Sequence, residues 1–355
     1  MKALTHCKLE VNVNGPTYIF SMLINFDKNV PLKQISHYKI GGNAKYFFEA
    51  KNADDLIKVI EKQRQLKTPV FILAGATNVL IDDHGFNGLI IKPDFKFIRK
   101  ENNVFVNPHT KQSYSVGVNV GAGVLMKELV DFALEKNLSG LEWAGGLPGT
   151  LGGAIRGNAG AFGGEMKDTI EKVMSLDISQ KNPKIIKRKF KDCGFQYRSS
   201  IFKKNKGGEI IMEATLKLQK GDGKKIEEEI IKNINYRLLK HPMEYPSLGS
   251  TFKNVPLTQI DSKIISINPC FNPHKSVSII KNDPFPIIPT AYLISEAGLK
   301  GISIGGAMIS PKHPNFIVNI LNAKAKDVKN LIQLIKNEVK KKFKIELQEE
   351  IERLI

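Results

Sequence analysis

Two stretches of this sequence carry glycines at a spacing suited to phosphate chemistry. A main chain that lies close against a phosphate must lack side chains there, and it then offers N–H groups to the phosphate oxygens. The first stretch is Leu73-Ala-Gly-Ala-Thr-Asn78 and the second is Gly146-Leu-Pro-Gly-Thr-Leu-Gly-Gly-Ala154. Neither contains the Gly-Lys-Ser/Thr of a Walker loop. Neither presents G-x-G-x-x-G between a strand and a helix, so a Rossmann dinucleotide fold is not indicated. Two separate anion-cradling loops suit a diphosphate cofactor gripped from both sides.

The second stretch lies within an unusual density of glycine: Gly140, Gly145, Gly146, Gly149, Gly152, Gly153, Gly157, Gly160, Gly163 and Gly164. In a helix or strand interior each would cost roughly 0.5–1 kcal/mol against alanine. A flexible linker would explain glycine, but not the interleaved Trp143, Leu147, Pro148, Leu151, Ile155 and Phe162. Sharp turns or close approach to a ligand explain both.

The elements that must position these loops can be read from periodicity. Asn52 opens a helix whose apolar face is Leu56, Val59 and Ile60, and Pro69-Val-Phe-Ile-Leu73 reads as a buried strand leading into the first loop. Val116–Val120 is a strand. Leu125–Lys136 is a helix, with Leu125, Leu129, Phe132 and Ala133 at helical spacing. Strand-like segments fill 170–220, with Lys181–Lys191 as a solvated turn or edge. Ile226–Leu239 is a helix with Ile230, Ile231 and Ile234 inward. A short helix spans Ala291–Ala297, and a long one spans Ala325–Phe343 with Val328, Leu331, Ile332, Ile335, Val339 and Phe343 on one stripe. Residues 1–30 form an extension, with a strand expected at Thr17–Leu23.

The chain has 355 residues, which suggests two or three domains, and a net charge of +18. Such an excess suits nucleic acid, an anionic membrane surface or a small polyanionic substrate, or reflects a generally lysine-rich composition. The lysine clusters at 181–191, 203–206 and 340–344 carry no aromatic ladder, so neither a nucleic-acid groove nor a nucleic-acid partner is expected. Cys7, Cys193 and Cys270 are odd in number and widely spaced, which argues against a disulfide framework or metal site and fits a reduced cytoplasm. No apolar run approaches the ~20 residues of a membrane helix, so a soluble chain without membrane partners is expected.

A specific resemblance emerges from ordered blocks. These are Tyr38-Lys-Ile-Gly-Gly-Asn-Ala44; Thr77-Asn-Val-Leu-Ile with Gly85-Phe-Asn-Gly88; Gly140 through Ala154; Asn158-Ala-Gly-Ala-Phe-Gly163; Phe195-Gln-Tyr-Arg-Ser-Ser200; Tyr245-Pro-Ser-Leu-Gly-Ser-Thr-Phe-Lys-Asn254; and Gly298-Leu-Lys-Gly with Gly305-Gly-Ala307. In this order they resemble the UDP-N-acetylenolpyruvoylglucosamine reductases (MurB), over nearly the whole chain from about 31 to 355. The Tyr-Pro-Ser-Leu-Gly-Ser form is similar to the shorter, type II members.

The resemblance implies an α+β protein. Its FAD-binding fold, of the PCMH/vanillyl-alcohol-oxidase-like type, would have subdomains at 31–105 and 106–220. A substrate-binding α+β domain would follow at 221–355, with 255–290 as an insertion. It further implies FAD against Gly75, Ala76, Thr77, Asn78, Pro148, Gly149, Thr150, Gly152, Gly153, Asn158 and Gly160. NADPH would be the reductant and UDP-N-acetylglucosamine enolpyruvate the substrate, in a protein expected to be monomeric. Hydride would leave flavin N5 for the enolpyruvyl methylene, so negative charge would build up at the neighbouring carbon and its carboxylate. Arg198 suits that carboxylate, because guanidinium binds it in a fork. Ser250 suits the proton donor. By the same resemblance Glu350 assists, and Tyr197, Lys253 and Asn254 contact substrate or NADPH. His313 reads as structural.

Three departures from the family pattern stand out. The family's phosphate loop usually reads Gly-Gly-Gly-Ser-Asn, but here Ala74 and Ala76 bring methyl groups into it, which points to lower FAD affinity. The connection at 255–290 is longer than usual and reads as a lid or a disordered insert. The terminal Glu350-Ile-Glu-Arg places Glu352 where arginine is usual, so Glu346 and Glu349 stay open as the functional carboxylate. Rival readings are an FAD-linked alcohol or sugar oxidase, and a non-catalytic binder of UDP-sugar or nucleic acid.

Overall fold

The computed structural model describes residues 24–106, 114–205, 207–267, 271 and 279–355. The strand expected at Thr17–Leu23, together with Cys7 and Cys270, lies outside them. No described helix is long and apolar enough to cross a membrane.

The first unit is a four-stranded sheet in the order Asp27–Pro31, Asn43–Ala50, Phe86–Pro93, Val70–Ile72. The first pair is antiparallel and the rest are parallel. The helix Ala53–Leu66 makes the crossover. The Asn52 side chain accepts from the Asp55 N–H at 2.9 Å, the N-cap the sequence signals. Leu56, Val59 and Ile60 are all buried against this sheet. The strand Asp27–Pro31, which spans the end expected for the extension at 30, pairs into this sheet.

The second unit is a six-stranded antiparallel sheet, with the edge order Lys184–Lys189, Ile170–Asp177, Glu209–Lys220, Tyr114–Gly121, Ile98–Val106, and Leu138–Ser139 paired to Glu209–Lys220. Ile98–Val106 pairs with Tyr114–Gly121, across the boundary expected at 105/106. The helix Gly223–Lys240 packs on this sheet's core through Ile226 and Ile230. Ile231, expected inward, is 49% exposed, and the polar Asn233 and Arg237 are buried instead. They face in because they serve the glycine-rich stretch: Asn233 Nδ2 donates to the Glu142 carbonyl at 3.0 Å and Arg237 Nε to that of Gly145 at 2.8 Å. Main-chain carbonyls left over by irregular backbone need such partners when buried.

The third unit has the antiparallel sheet Ser247–Ser250, Phe316–Asn319, Ala307–Ile309, Ser303–Ile304, backed by the helix Ala325–Phe343, whose expected stripe is buried in full. A smaller sheet joins Val255–Pro256, Pro286–Ile288 and Lys281–Asn282. The described part of 255–290 is therefore folded, with Ile287 and Ile288 buried.

Several links tie this unit to the first. The Tyr38 hydroxyl donates to the Ile317 carbonyl at 2.8 Å, inside the third unit's core. The Asp83 carboxylate accepts from the N–H groups of Ala325 and Lys326 at 2.7 and 3.1 Å, capping the long helix where its dipole favours negative charge. The terminal strand Glu352–Leu354 returns to pair in parallel with Val79–Ile81.

Candidate active site

The two glycine loops abut. A Cβ on Gly75 would lie 2.9 Å from the Gly149 Cα, and one on Gly149, whose φ is 104°, would lie 2.9 Å from Thr77 Oγ1. Glycine is therefore required at both positions by loop-on-loop contact as much as by any ligand. Ala76 adopts φ 50° and is buried. The second loop leads into the short helix Leu151–Gly157. The N–H groups of Leu151 and Gly152 donate to Val124 and Ala122, both at 2.9 Å, and a Cβ on Gly152 would lie 3.0 Å from Ala122 Cβ. Gly152 thus packs the helix onto the second unit, and its N–H is engaged there.

The opposite face of this helix is bare. Thr150, Gly153 and Gly157 recur at helical spacing and share one face. A Cβ on Gly153 would meet only Ala74 Cβ, at 3.4 Å, and Thr150 Oγ1, at 3.8 Å; one on Gly157 would meet nothing within 4 Å. At the head of the stripe the Thr150 hydroxyl is buried without a hydrogen-bond partner. A buried hydroxyl is seldom left unpaired, so the stripe fits a ligand bringing acceptor oxygens, as the diphosphate of FAD does. Gly157, not among the expected cofactor residues, joins the stripe, and its spacing from Gly153 was the signal for it. Pro148 is exposed beside the loop.

Asn158 and Gly160 take part in the framework around Arg198. Asn158, at 0% exposure, donates through Nδ2 to the Gln196 carbonyl at 3.0 Å and accepts from the Lys167 N–H at 3.0 Å, so its side chain is a brace. It holds the turn Gln196–Ser199, whose ends exchange main-chain bonds at 2.9 and 3.0 Å. That turn presents Arg198 in the left-handed region at φ 52°. The Gly160 carbonyl accepts from Arg198 Nη2 at 2.7 Å.

Arg198 Nε lies 2.8 Å from Glu350 Oε1, which settles which terminal carboxylate faces it. Glu349 instead pairs with Lys336 and Arg353 at 2.5 and 2.8 Å, and exposed Glu346 with Lys340. The stretch Ser250–Asn254 runs antiparallel to 348–350. The Glu350 N–H donates to the Thr251 carbonyl and the Lys253 N–H to that of Gln348, both at 2.9 Å. Ser250 and Glu350 are thereby brought to the same end of one pairing. Glu165, overlooked in the sequence, is 5% exposed and lies 4.0 Å from Arg198 Nη1 and 2.6 Å from Lys167 Nζ. Arg156 pairs with Glu352, and Lys203 lies 3.6 Å from it, so the departure at Glu352 is compensated by local cations.

A cleft of about 230 Å³ adjoins this cluster, lined among others by Gln196, Tyr197, Lys253, Asn254, Phe285 and Gln348. Burial, reinforced by the nearby Lys203 charge, pulls the Lys253 ammonium below its ordinary pKa, and burial pushes the Tyr197 phenol up. Asn254 lines the cleft, but its Oδ1 accepts from the Thr290 N–H at 3.1 Å, at the start of the helix Thr290–Glu296. His313 lies apart, its ring 4.7 Å from Phe316 and 5.2 Å from His241, in keeping with a structural role.

Comparison with known proteins follows this division. Residues 241–354 match the family model "UDP-N-acetylenolpyruvoylglucosamine reductase, C-terminal domain", and residues 44–187 match "FAD binding domain". A UDP-N-acetylenolpyruvoylglucosamine reductase of Caldanaerobacter subterraneus subsp. tengcongensis is 36% identical over 323 residues, covering 91% of each chain. One from Clostridium tetani is 33% identical over 327 residues, covering 92% of this chain and 91% of the relative. The crystal structure of UDP-N-acetylenolpyruvylglucosamine reductase from Thermus caldophilus superposes with a TM-score of 0.65 at 26% identity, covering 93% of this chain and 99% of that one.

Proposed function

The chain belongs to the UDP-N-acetylenolpyruvoylglucosamine reductase family, and from that premise we propose how its own residues serve the reaction. It is an FAD-dependent oxidoreductase that reduces UDP-N-acetylglucosamine enolpyruvate to UDP-N-acetylmuramate in peptidoglycan precursor synthesis, and its FAD-binding fold is of the two-subdomain, vanillyl-alcohol-oxidase-like type. NADPH as the reductant, the cytoplasm as the location and a monomer as the working form belong to the proposal.

The Thr150–Gly153–Gly157 stripe and the Ala74–Asn78 loop would hold FAD, the unpartnered Thr150 hydroxyl being free to donate to an acceptor oxygen of the cofactor. Once reduced by NADPH, the flavin would supply the hydride. Arg198 binds the substrate carboxylate. Its Nε is engaged by Glu350 and one Nη2 proton by the Gly160 carbonyl, which leaves three of its five N–H donors for the substrate. A guanidinium fixed before substrate arrives stabilises the charge that develops on the carboxylate without reorganising. Ser250 delivers the proton to the adjacent carbon. Glu350 orients Arg198 and, through its pairing with Thr251, holds its own strand against the one that bears Ser250. Lys253 adds positive charge at the cleft for an anionic sugar nucleotide.

The observation that carries this reading is the Arg198–Glu350 pair at 2.8 Å, with Ser250 one residue from the Thr251 carbonyl that holds Glu350. The test is anaerobic stopped-flow spectroscopy on the flavin-loaded, prereduced protein. The UDP-enolpyruvyl sugar should reoxidise the flavin at least about a hundredfold faster than buffer does. No acceleration over buffer would remove the proposal.

A further inference from the structure

The segment 255–290 carries a hairpin whose tip reaches across to the second unit. Its register pairs Lys281 with Ile287 and Asn282 with Pro286, so Asp283, Pro284 and Phe285 form the tip. The base is rigid. Ile287 and Ile288 are 2% and 0% exposed, and Val255 pairs with Ile288, which seats the hairpin directly beside Lys253 and Asn254. The Thr290 hydroxyl fixes the same junction by donating to the Lys253 carbonyl at 2.6 Å.

The tip touches the second unit at two points, and both bear on Arg198. Asp283 Oδ2 accepts from the Gly163 N–H at 3.0 Å, on the loop whose Gly160 carbonyl holds Arg198. The Phe285 ring meets the Tyr197 ring edge to face, with centroids 5.1 Å apart at 74°. The same Tyr197 ring also receives the Arg198 guanidinium, whose Cζ lies 5.2 Å from the ring centroid. Phe285, Tyr197 and Arg198 therefore form one stack, and Phe285 and Tyr197 both line the cleft. Edge-to-face aromatic pairs and cation–π contacts each favour one relative orientation, so fixing the outer ring restricts the inner cation.

Resting on the reading of Arg198 as the carboxylate-binding group, we propose that Phe285 is a positioning residue for the reduction, with Asp283 as the latch that seats it. Phe285 acts through Tyr197 to hold Arg198 where an anionic, carboxylate-bearing sugar nucleotide meets it, and it closes the outer wall of the cleft. Arg198 sits on a turn in the left-handed region. A lone turn of that kind is held by its contacts, and the stack supplies one of them.

The experiment compares wild type, Phe285→Ala, Phe285→Tyr and Asp283→Ala as full-length, flavin-loaded protein. Phe285→Ala should raise KM for the UDP-enolpyruvyl sugar about five- to tenfold, the scale of one lost aromatic contact. It should leave flavin reduction by NADPH within about twofold of wild type. Phe285→Tyr keeps the ring and should restore KM, while Asp283→Ala should raise it less than Phe285→Ala does. Hydrogen exchange on the unliganded protein supplies a readout independent of turnover: the Gln196–Ser199 amides should exchange faster in Phe285→Ala. That readout stands even if wild type failed to turn over the sugar nucleotide, so the two readings fail separately. Unchanged KM and unchanged exchange in Phe285→Ala would overturn the proposal. So would an equal loss in both half-reactions, or a Phe285→Tyr variant as impaired as Phe285→Ala.

Discussion

The side-chain amide of Asn78 donates to the Glu350 carbonyl at 3.1 Å, and the Glu352 N–H donates to the Asn78 carbonyl at 2.9 Å. A residue of the first glycine loop thus fixes the tail that carries the carboxylate facing Arg198. The proposed cofactor loop and the proposed substrate-binding group share one brace. Asn78→Ala should therefore lower stability by about 1 kcal/mol, the scale of one lost hydrogen bond. It should also weaken sugar-nucleotide use beyond any change in FAD affinity. Thermal unfolding with parallel FAD titration and steady-state kinetics separates the effects. A loss of FAD affinity alone would show that the brace does not reach Glu350.

Arg198→Ala removes the cation and leaves Glu350 without its partner in a partly closed site. Reduction of the UDP-enolpyruvyl sugar should fall by about 3 kcal/mol or more in kcat/KM, while flavin reduction by NADPH is less affected. Arg198→Lys should recover little, because one ammonium cannot meet Glu350, the Gly160 carbonyl and a carboxylate in the same plane. Equal loss in both half-reactions would contradict the role assigned to Arg198.

Ser250→Ala removes the proposed proton donor and leaves the Arg198 cluster in place. Single-turnover flavin reoxidation by the sugar nucleotide should slow by about 10²–10⁴-fold, the usual worth of a general acid. Ser250→Cys should recover part of it. A rate for the alanine variant within about tenfold of wild type would pass the role to another group or to water.

The glycines of the second loop should separate by position. Gly149→Val puts a branched side chain at φ 104° against Thr77 Oγ1, and it should destabilise the protein as well as release FAD. Gly153→Ala fits with an ordinary contact to Ala74 at 3.4 Å. It should raise apoprotein stability by up to about 1 kcal/mol through helix propensity while weakening FAD binding about tenfold. Calorimetry of the apoprotein and flavin titration give the two signs independently. Unchanged FAD affinity in Gly153→Ala would mean that the bare stripe does not face the cofactor.

His241 and His313, with rings 5.2 Å apart, are both pushed down from 6.5 to about 4, chiefly by burial. Arg237 and Lys312 bear on His241, and Lys281 on His313, in the same direction. Both imidazoles are held neutral in the fold. Their contribution to stability is present above about pH 6.5 and is lost as pH falls toward 4, because the unfolded chain binds protons first. Denaturant unfolding across that window should show the loss, and His241→Phe should flatten it. An equally steep profile in that variant would assign the pH dependence to other groups.

Local patterns were legible because local physics sets them. The cap at Asn52, the buried stripe of Ala325–Phe343 and the need for glycine at 149 follow from periodicity, capping and backbone sterics, all of which act over a few residues. The ordered blocks carried the family, and with it FAD and the substrate. What the sequence left open are facts about distant pairs. Ile231 was assigned inward because apolar spacing cannot show that Asn233 and Arg237 would be needed by the carbonyls of Glu142 and Gly145. Which sheet a strand joins is decided by pairing across the chain, as with Ile98–Val106 on Tyr114–Gly121, and local patterns do not carry it. The choice among Glu346, Glu349 and Glu350 was open because three glutamates within five residues are alike until one of them meets Arg198. The bracing of the Arg198 turn by the Asn158 amide and of Glu350 by that of Asn78 is not legible in the sequence, since a side chain's partner depends on which segments the tertiary fold brings within hydrogen-bond reach.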